Sequence, residues 1–140
     1  MTPRDTGTGG VLENMILPAL AKGGYSYESQ VLVGERIGGR KHKVDVVAGK
    51  DKDRFLISLK WQQVGGTAEQ KVPFEVICLL KAIVDNDSKY KKAYLVLGGS
   101  GWTLRDFYTG DELKRFLEYS EKVDILNLED FIGKANKGLL

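Results

Sequence analysis

Two β-rich runs, residues 43–48 and 55–62, flank the polar stretch Gly49-Lys50-Asp51-Lys52-Asp53-Arg54. No other feature constrains the chain as much. Apolar β-branched runs on either side of a polar connection that opens on glycine make an antiparallel hairpin, here with a six-residue connection. Strand side chains alternate between faces, so Val44, Val46 and Ala48 are expected on one face and Asp45 and Val47 on the other. By the same rule Ser58 and Lys60 point the same way. An acid, a hydroxyl and an amine can therefore meet at one end of the hairpin. A carboxylate offers hard oxygen to Mg²⁺, or to Mn²⁺ in its place, and a nearby lysine stabilises negative charge developing on a phosphate. The plainer reading is that Asp45 is a turn residue and Lys60 a solvated guard at a strand edge.

At 140 residues the chain is long enough for one domain with its own core. An arm, 1–10, rich in Thr, Gly and Pro, is expected ahead of a domain spanning 11–140. The net charge of +2 is too small to make the whole surface a polyanion binder, so a nucleic-acid surface must be local. The single Cys78 lies in an apolar helical run and reads as a core residue, without disulfides or a cysteine zinc site. No apolar run reaches a membrane-spanning length, and no basic-then-apolar leader opens the sequence, so a cytoplasmic protein off the membrane is expected.

Helical spacing starts at Val11 and ends at the Gly23-Gly24 pair. A first strand is expected over 25–33, followed by a glycine-bearing loop, 34–43. There Arg36, Arg40, Lys41, His42 and Lys43 gather beside Asp45, a cationic group suited to a phosphate backbone. As the only histidine, His42 excludes a histidine-based zinc cluster. Past Lys60 come Gln62, a loop, and the capping-box spacing of Thr67-Ala68-Glu69-Gln70. Pro73 sits too deep for a helix begun at Thr67, so either a short turn or a helix starting near Pro73 is expected. Apolar positions Val76, Ile77, Leu80, Ile83 and Val84 form that helix's stripe, and its first part brings Glu69, Gln70, Lys71 or Glu75 towards Asp45. Gln62, Gln70 and Lys71 are candidates for touching nucleic acid, though Gln70 and Lys71 read equally well as solvent-facing. Strand 93–97 then follows a helix, which predicts a parallel crossover, and Gly98-Gly99-Ser100-Gly101 reads as a tight turn rather than a nucleotide loop. A helix over 111–119 with Leu113, Phe116 and Leu117 inward, a strand over 123–126 and a short helix over 128–131 complete the order. Trp61 and Trp102 are expected in the core.

The order helix, strand, hairpin, helix, strand, helix, strand predicts an α/β fold with a mixed central sheet flanked by helices. Asp45, twelve residues, then Ser58-Leu59-Lys60 resembles the core of the PD-(D/E)XK nuclease superfamily, with Ser58 where the usual acid stands. The resemblance implies a restriction-endonuclease-like core with Asp45, Ser58 and Lys60 in its catalytic site. Superfamily members with Ser-x-Lys take their second carboxylate from the following helix, which implies Glu75 or Glu69 as a metal ligand beside Asp45, with the Leu59 carbonyl as a further one. Gly9-Gly10-Val11-Leu12-Glu13 is similar to the first helix of archaeal-type Holliday junction resolvases, whose glutamate reaches the metal, and this adds Glu13. That branch implies a Mg²⁺-dependent endodeoxyribonuclease, a homodimer acting on four-way DNA junctions. The alternatives are a small restriction-type or repair endonuclease, a catalytically inactive nucleic-acid-binding module, and an interaction domain unrelated to nucleic acid.

Overall fold

The computed structural model describes residues 8–66, 68–87 and 89–140. The chain forms a five-stranded sheet in the order β1-β2-β3-β4-β5. The strands are β1 (Ser26–Glu35), β2 (Lys41–Lys50), β3 (Asp53–Trp61), β4 (Lys92–Gly98) and β5 (Val123–Asn127). β1, β2 and β3 pair antiparallel, while β3 with β4 and β4 with β5 pair parallel. The helices are α1 (Thr8–Lys22), α2 (Ala68–Asp85), the short α3 (Arg105–Thr109) and α4 (Leu128–Asn136). The α/β class and the mixed sheet are those expected. Among the described residues, no helix is long and apolar enough to cross a membrane.

Alternation along the central strands builds a core on each face of the sheet. Phe55, Ile57, Leu59, Tyr94 and Val96 face α1 and α4, meeting Ile16, Leu20, Leu128 and Phe131. Leu56, Leu95, Leu97 and Ile125 face α2, meeting Val72, Val76, Leu79 and Ile83. Burying such side chains at about 25 cal/mol per Å² of apolar surface makes this three-layer arrangement the main source of stability. Cys78 and Trp102 are core residues as expected, while Trp61 is only half-buried.

Several local expectations give way. β2 and β3 run nearly to the turn, so the connection is the two-residue Asp51-Lys52, with Asp51 at φ 56°, rather than six residues. β1 extends to Glu35 and β2 begins at Lys41, shortening the basic loop to 36–40. The first helix already includes residues 8–10, and residues 1–7 of the expected arm lie outside the described residues, as does the cap position Thr67. Val44 packs with Val47 rather than with Val46 and Ala48, because the ladder to β3 ends at Val46–Ile57 and β2 changes face around Asp45. Of the stripe on α2, Ile77 and Val84 are exposed, and Cys78, Leu79 and Ala82 take inward places.

The stretch 111–119 is no α-helix. Asp111 and Tyr119 adopt φ of 69° and 59°, left-handed values that stop helical propagation, and only a 3-10 turn forms at Leu113–Phe116, with Phe116 exposed. The closing helix runs on to Asn136, because Asn127 caps it through a 2.8 Å bond from the Asp130 amide and Phe131 and Ala135 continue its buried face.

α2 runs unbroken through Pro73. Proline lacks the N–H that would bond to the carbonyl four residues back, that of Glu69. The Tyr108 hydroxyl donates to that carbonyl instead, at 2.6 Å. Tyr108→Phe is expected to cost about 1–3 kcal/mol by leaving this buried acceptor unpaired. Adding Pro73→Ala, which restores an N–H facing the same oxygen, should recover part of the loss in urea unfolding; equal losses in both backgrounds would dissociate Tyr108 from the proline.

Candidate nuclease active site

The site lies where β2 leaves β3. Beyond the Val46–Ile57 pair the two strands part, and the Leu59 amide turns to a side chain, donating to Asp45 Oδ2 at 2.7 Å. An amide freed from a ladder inside a protein must find another acceptor, and an aspartate at the fork supplies one. β1 is irregular alongside. Gln30 takes a left-handed φ of 55°, and its side-chain nitrogen donates to Glu13 Oε1 at 2.7 Å while standing 3.5 Å from Asp45 Oδ1. One amide thus brings a carboxylate from α1 beside one from β2.

A second group of contacts forms on the α2 face. Ser58 and Lys60 share that face, as alternation requires, and Glu75 comes down from the helix to meet both. Ser58 Oγ donates to Glu75 Oε2 at 2.9 Å, and Lys60 Nζ lies 3.9 Å from Glu75 Oε1. Arg36, from the β1–β2 connection, donates to the same Oε1 at 2.8 Å and stacks its guanidinium over Phe74. A hydroxyl therefore stands where a carboxylate is usual, and it holds a carboxylate delivered by the neighbouring helix.

The two acids differ electrostatically. Burial pushes the Asp45 carboxyl above its ordinary pKa, outweighing the Leu59 amide, Lys60 and Gln30, while the Glu75 charge adds to the rise. Burial would also raise Glu75, but Lys60, Arg36 and Ser58 together hold its carboxyl below the ordinary range. Asp45 is a half-buried acid short of positive charge. A divalent cation beside Asp45 and Glu13 would supply it, and the donor set is all hard oxygen. Among the described residues no three acidic, histidine or cysteine groups form a preformed cage. Mg²⁺ needs no such cage, being held by one or two carboxylates while it keeps several waters.

Other candidates fall elsewhere. Glu69 faces the 99–104 turn, where its carboxylate accepts from the Thr103 hydroxyl at 2.7 Å, the Thr103 and Leu104 amides at 3.0 and 2.6 Å, and Gln62 Nε2 at 3.2 Å. These donors, the Thr103 hydroxyl foremost, hold its pKa below the ordinary range and leave it no part in a metal site. Gln62 is buried and bonds the Gly101 carbonyl at 2.8 Å, so it holds the turn rather than nucleic acid. His42 is fully buried with neither ring nitrogen hydrogen-bonded, and burial lowers its pKa, so it is a neutral core residue and makes no phosphate contact. Arg40, Lys41 and Lys43 are exposed, the two lysines on the face of β2 opposite His42. Gln70 and Lys71 are exposed on the first turn of α2, Lys71 one turn before Glu75 on the same side. Gln30 gives no signal in the sequence, because its position depends on a strand irregularity that leaves no mark in composition.

The glycine-rich turn is structural, as expected. A Cβ on Gly99 would stand 2.4 Å from the Gln62 carbonyl oxygen, and one on Gly101 2.6 Å from the Val64 amide. Only glycine lets 98–101 lie against 62–64, the segment that follows Lys60.

Residues 4–139 match the family model of the PD-(D/E)XK nuclease superfamily domain. No curated protein matches the chain. Among solved structures, the chain is similar to the crystal structure of a protein of unknown function, AF1548, with a TM-score of 0.53 at 12% identity. The match covers 83% of this chain and 56% of that one, so the chain spans little more than half of that protein's length. At this identity the likeness concerns the fold alone.

The opposite pKa shifts give opposite signs on removal. Glu75 is depressed in the fold, so its stabilisation is present above the ordinary carboxylate pKa and is lost as pH falls through the folded value. Asp45 is raised, so its contribution turns unfavourable as pH rises through the folded value. Urea unfolding at neutral pH should therefore find Glu75→Gln destabilised by about 1–3 kcal/mol and Asp45→Asn stabilised. The same sign for both variants would contradict this electrostatic arrangement.

Proposed function

The chain belongs to the PD-(D/E)XK nuclease superfamily, and from that premise we propose that it is a metal-dependent, structure-selective DNA endonuclease, resolving four-way junctions as a homodimer. The observation that carries the catalytic part is the 2.9 Å bond by which Ser58 receives Glu75 beside Lys60. It returns to the site the negative charge that the serine lacks.

In this reading Asp45 and Glu13 would hold Mg²⁺, with Mn²⁺ as its substitute, and the Leu59 carbonyl and Glu75 would be further candidate oxygen ligands. The bound ion would supply Lewis acidity and a water of lowered pKa. The protein's own groups do the rest. Leu59 and Gln30 fix the Asp45 carboxylate through its two oxygens. Glu75 aims Lys60, whose side chain is one-third exposed and whose ammonium would steady the attacking water or the charge on the phosphate. Arg36 donates to the same Oε1 and takes up part of the Glu75 charge, so that Lys60 keeps positive charge to offer substrate.

Substrate choice rests on the surface around this edge. Arg40, Lys41 and Lys43 lie exposed along the chain that leads into Asp45, and Lys71 one turn before Glu75, a set of cations suited to backbone phosphates on more than one arm of DNA. Phosphate contacts carry no base sequence, so a protein relying on them selects by shape. A two-fold dimer would offer each strand of a nearly two-fold junction an equivalent site.

Cleavage of a labelled four-way junction, with matched duplex and single strand as controls, tests the reading. Paired symmetric cuts with Mg²⁺, abolished by EDTA and by Asp45→Ala and lowered about 10²-fold or more by Lys60→Ala, are expected. Cuts confined to linear duplex would make it a restriction-type or repair enzyme. Salt-dependent binding without cutting under any metal would make it a binding module.

A further inference from the structure

On the α1 side of the same sheet edge lies a cavity of about 320 Å³, lined by Met15, Trp61, Ser100, Arg105, Leu128 and Glu129 among others. Trp61 follows Lys60 directly in β3, and alternation turns the two apart. Lys60 faces Glu75, while the half-buried indole packs on the α1–α4 core and borders the cavity. Met15, 43% exposed, presents its thioether side chain at this concave surface. Across the opening stand an exposed arginine, a hydroxyl on the glycine-rich turn, and the Glu129 carboxylate.

We infer that this cavity receives one unstacked nucleotide of the DNA strand adjoining the phosphate at Lys60. The inference rests on the nuclease reading and gives its structure selectivity a physical basis. The indole and the Met15 thioether offer a base an apolar, polarisable surface, and base–aromatic stacking tolerates any sequence because every base has a π-face. Arg105 is the cation for the neighbouring phosphate. Glu129, an acceptor only, matches the amino groups of a base edge and repels a phosphate, which orients the nucleotide base-inward. The volume is near the lower bound for small-molecule pockets, enough for one nucleotide and too small for a base pair. Intact duplex must unstack a base to fill it, whereas a branch point or a flap presents one at little cost.

The test is DNA binding in EDTA, comparing a duplex with a short unpaired flap against the same duplex with blunt ends. Trp61→Ala and, separately, Ser100→Phe, which fills the cavity from its exposed rim, should each weaken flap binding about tenfold and leave blunt-duplex binding nearly unchanged. Arg105→Ala should weaken flap binding and flatten its salt dependence. Ser100→Phe keeps the test open if the tryptophan variant does not fold. Equal losses on both DNAs, or no loss on the flap, overturn the pocket. Wild-type cleavage in Mg²⁺, lost in Asp45→Ala, reports on the nuclease reading separately. Cutting without flap discrimination retains the nuclease and removes the pocket, discrimination without cutting does the reverse, and absence of DNA binding removes both.

Discussion

Where β2 parts from β3, the sheet gives up hydrogen bonds in its own interior, and the bond from the Leu59 amide to Asp45 makes the separation tolerable. Each buried amide left without an acceptor would carry a cost comparable to a lost hydrogen bond, so the fork survives only with an acceptor built into it. That acceptor is a carboxylate whose other oxygen stands 3.5 Å from the Gln30 amide. The chemical group and the structural plug are the same side chain. Ser58 and Lys60 owe their common direction to β3 remaining regular through the fork on its β4 side, where Ser58 to Trp61 keep parallel partners.

Behind this edge the protein is pinned firmly. Glu69 gathers the 99–104 turn, Gln62 joins it from the end of β3, and the glycines allow the two backbones to touch. Tyr108 then anchors the first turns of α2 at the carbonyl that Pro73 leaves free. Glu75 lies less than two turns further along the same helix. Its aim at Ser58 is therefore set by a buried polar network that makes no contact with the site itself, an arrangement suited to holding a reacting geometry within narrow limits.

The sheet, its mixed pairing and the placing of Asp45, Ser58 and Lys60 at one end of the hairpin were readable from local pattern, because alternation and strand–turn composition report directly on strand neighbours. Glu75 could be named only through a resemblance, since nothing in the spacing of a helix tells which of its acids crosses to the sheet. Glu69 read as a metal ligand and Gln62 as a nucleic-acid contact because polar residues near a site look alike in sequence; their burial sets them apart, and burial depends on the turn at Gly99–Gly101. His42 misled for the same reason: its basic neighbours are exposed, yet alternation turns the imidazole inward. The 111–119 stretch had helical spacing, but left-handed residues at both ends override so short a segment.

The irregularity at Gln30 has a consequence outside chemistry. β1 is the outermost strand on its side of the sheet and is largely exposed, with Tyr27 and Leu32 among its exposed apolar residues. A straight strand in that position would offer a neighbouring molecule a continuous row of free donors and acceptors on which to stack, the usual route to fibrillar aggregates. The left-handed residue at 30 and the bulge between Leu32 and Gly34 break that row twice within five residues. The distortion that carries an amide to two carboxylates also protects the protein from templating its own aggregation.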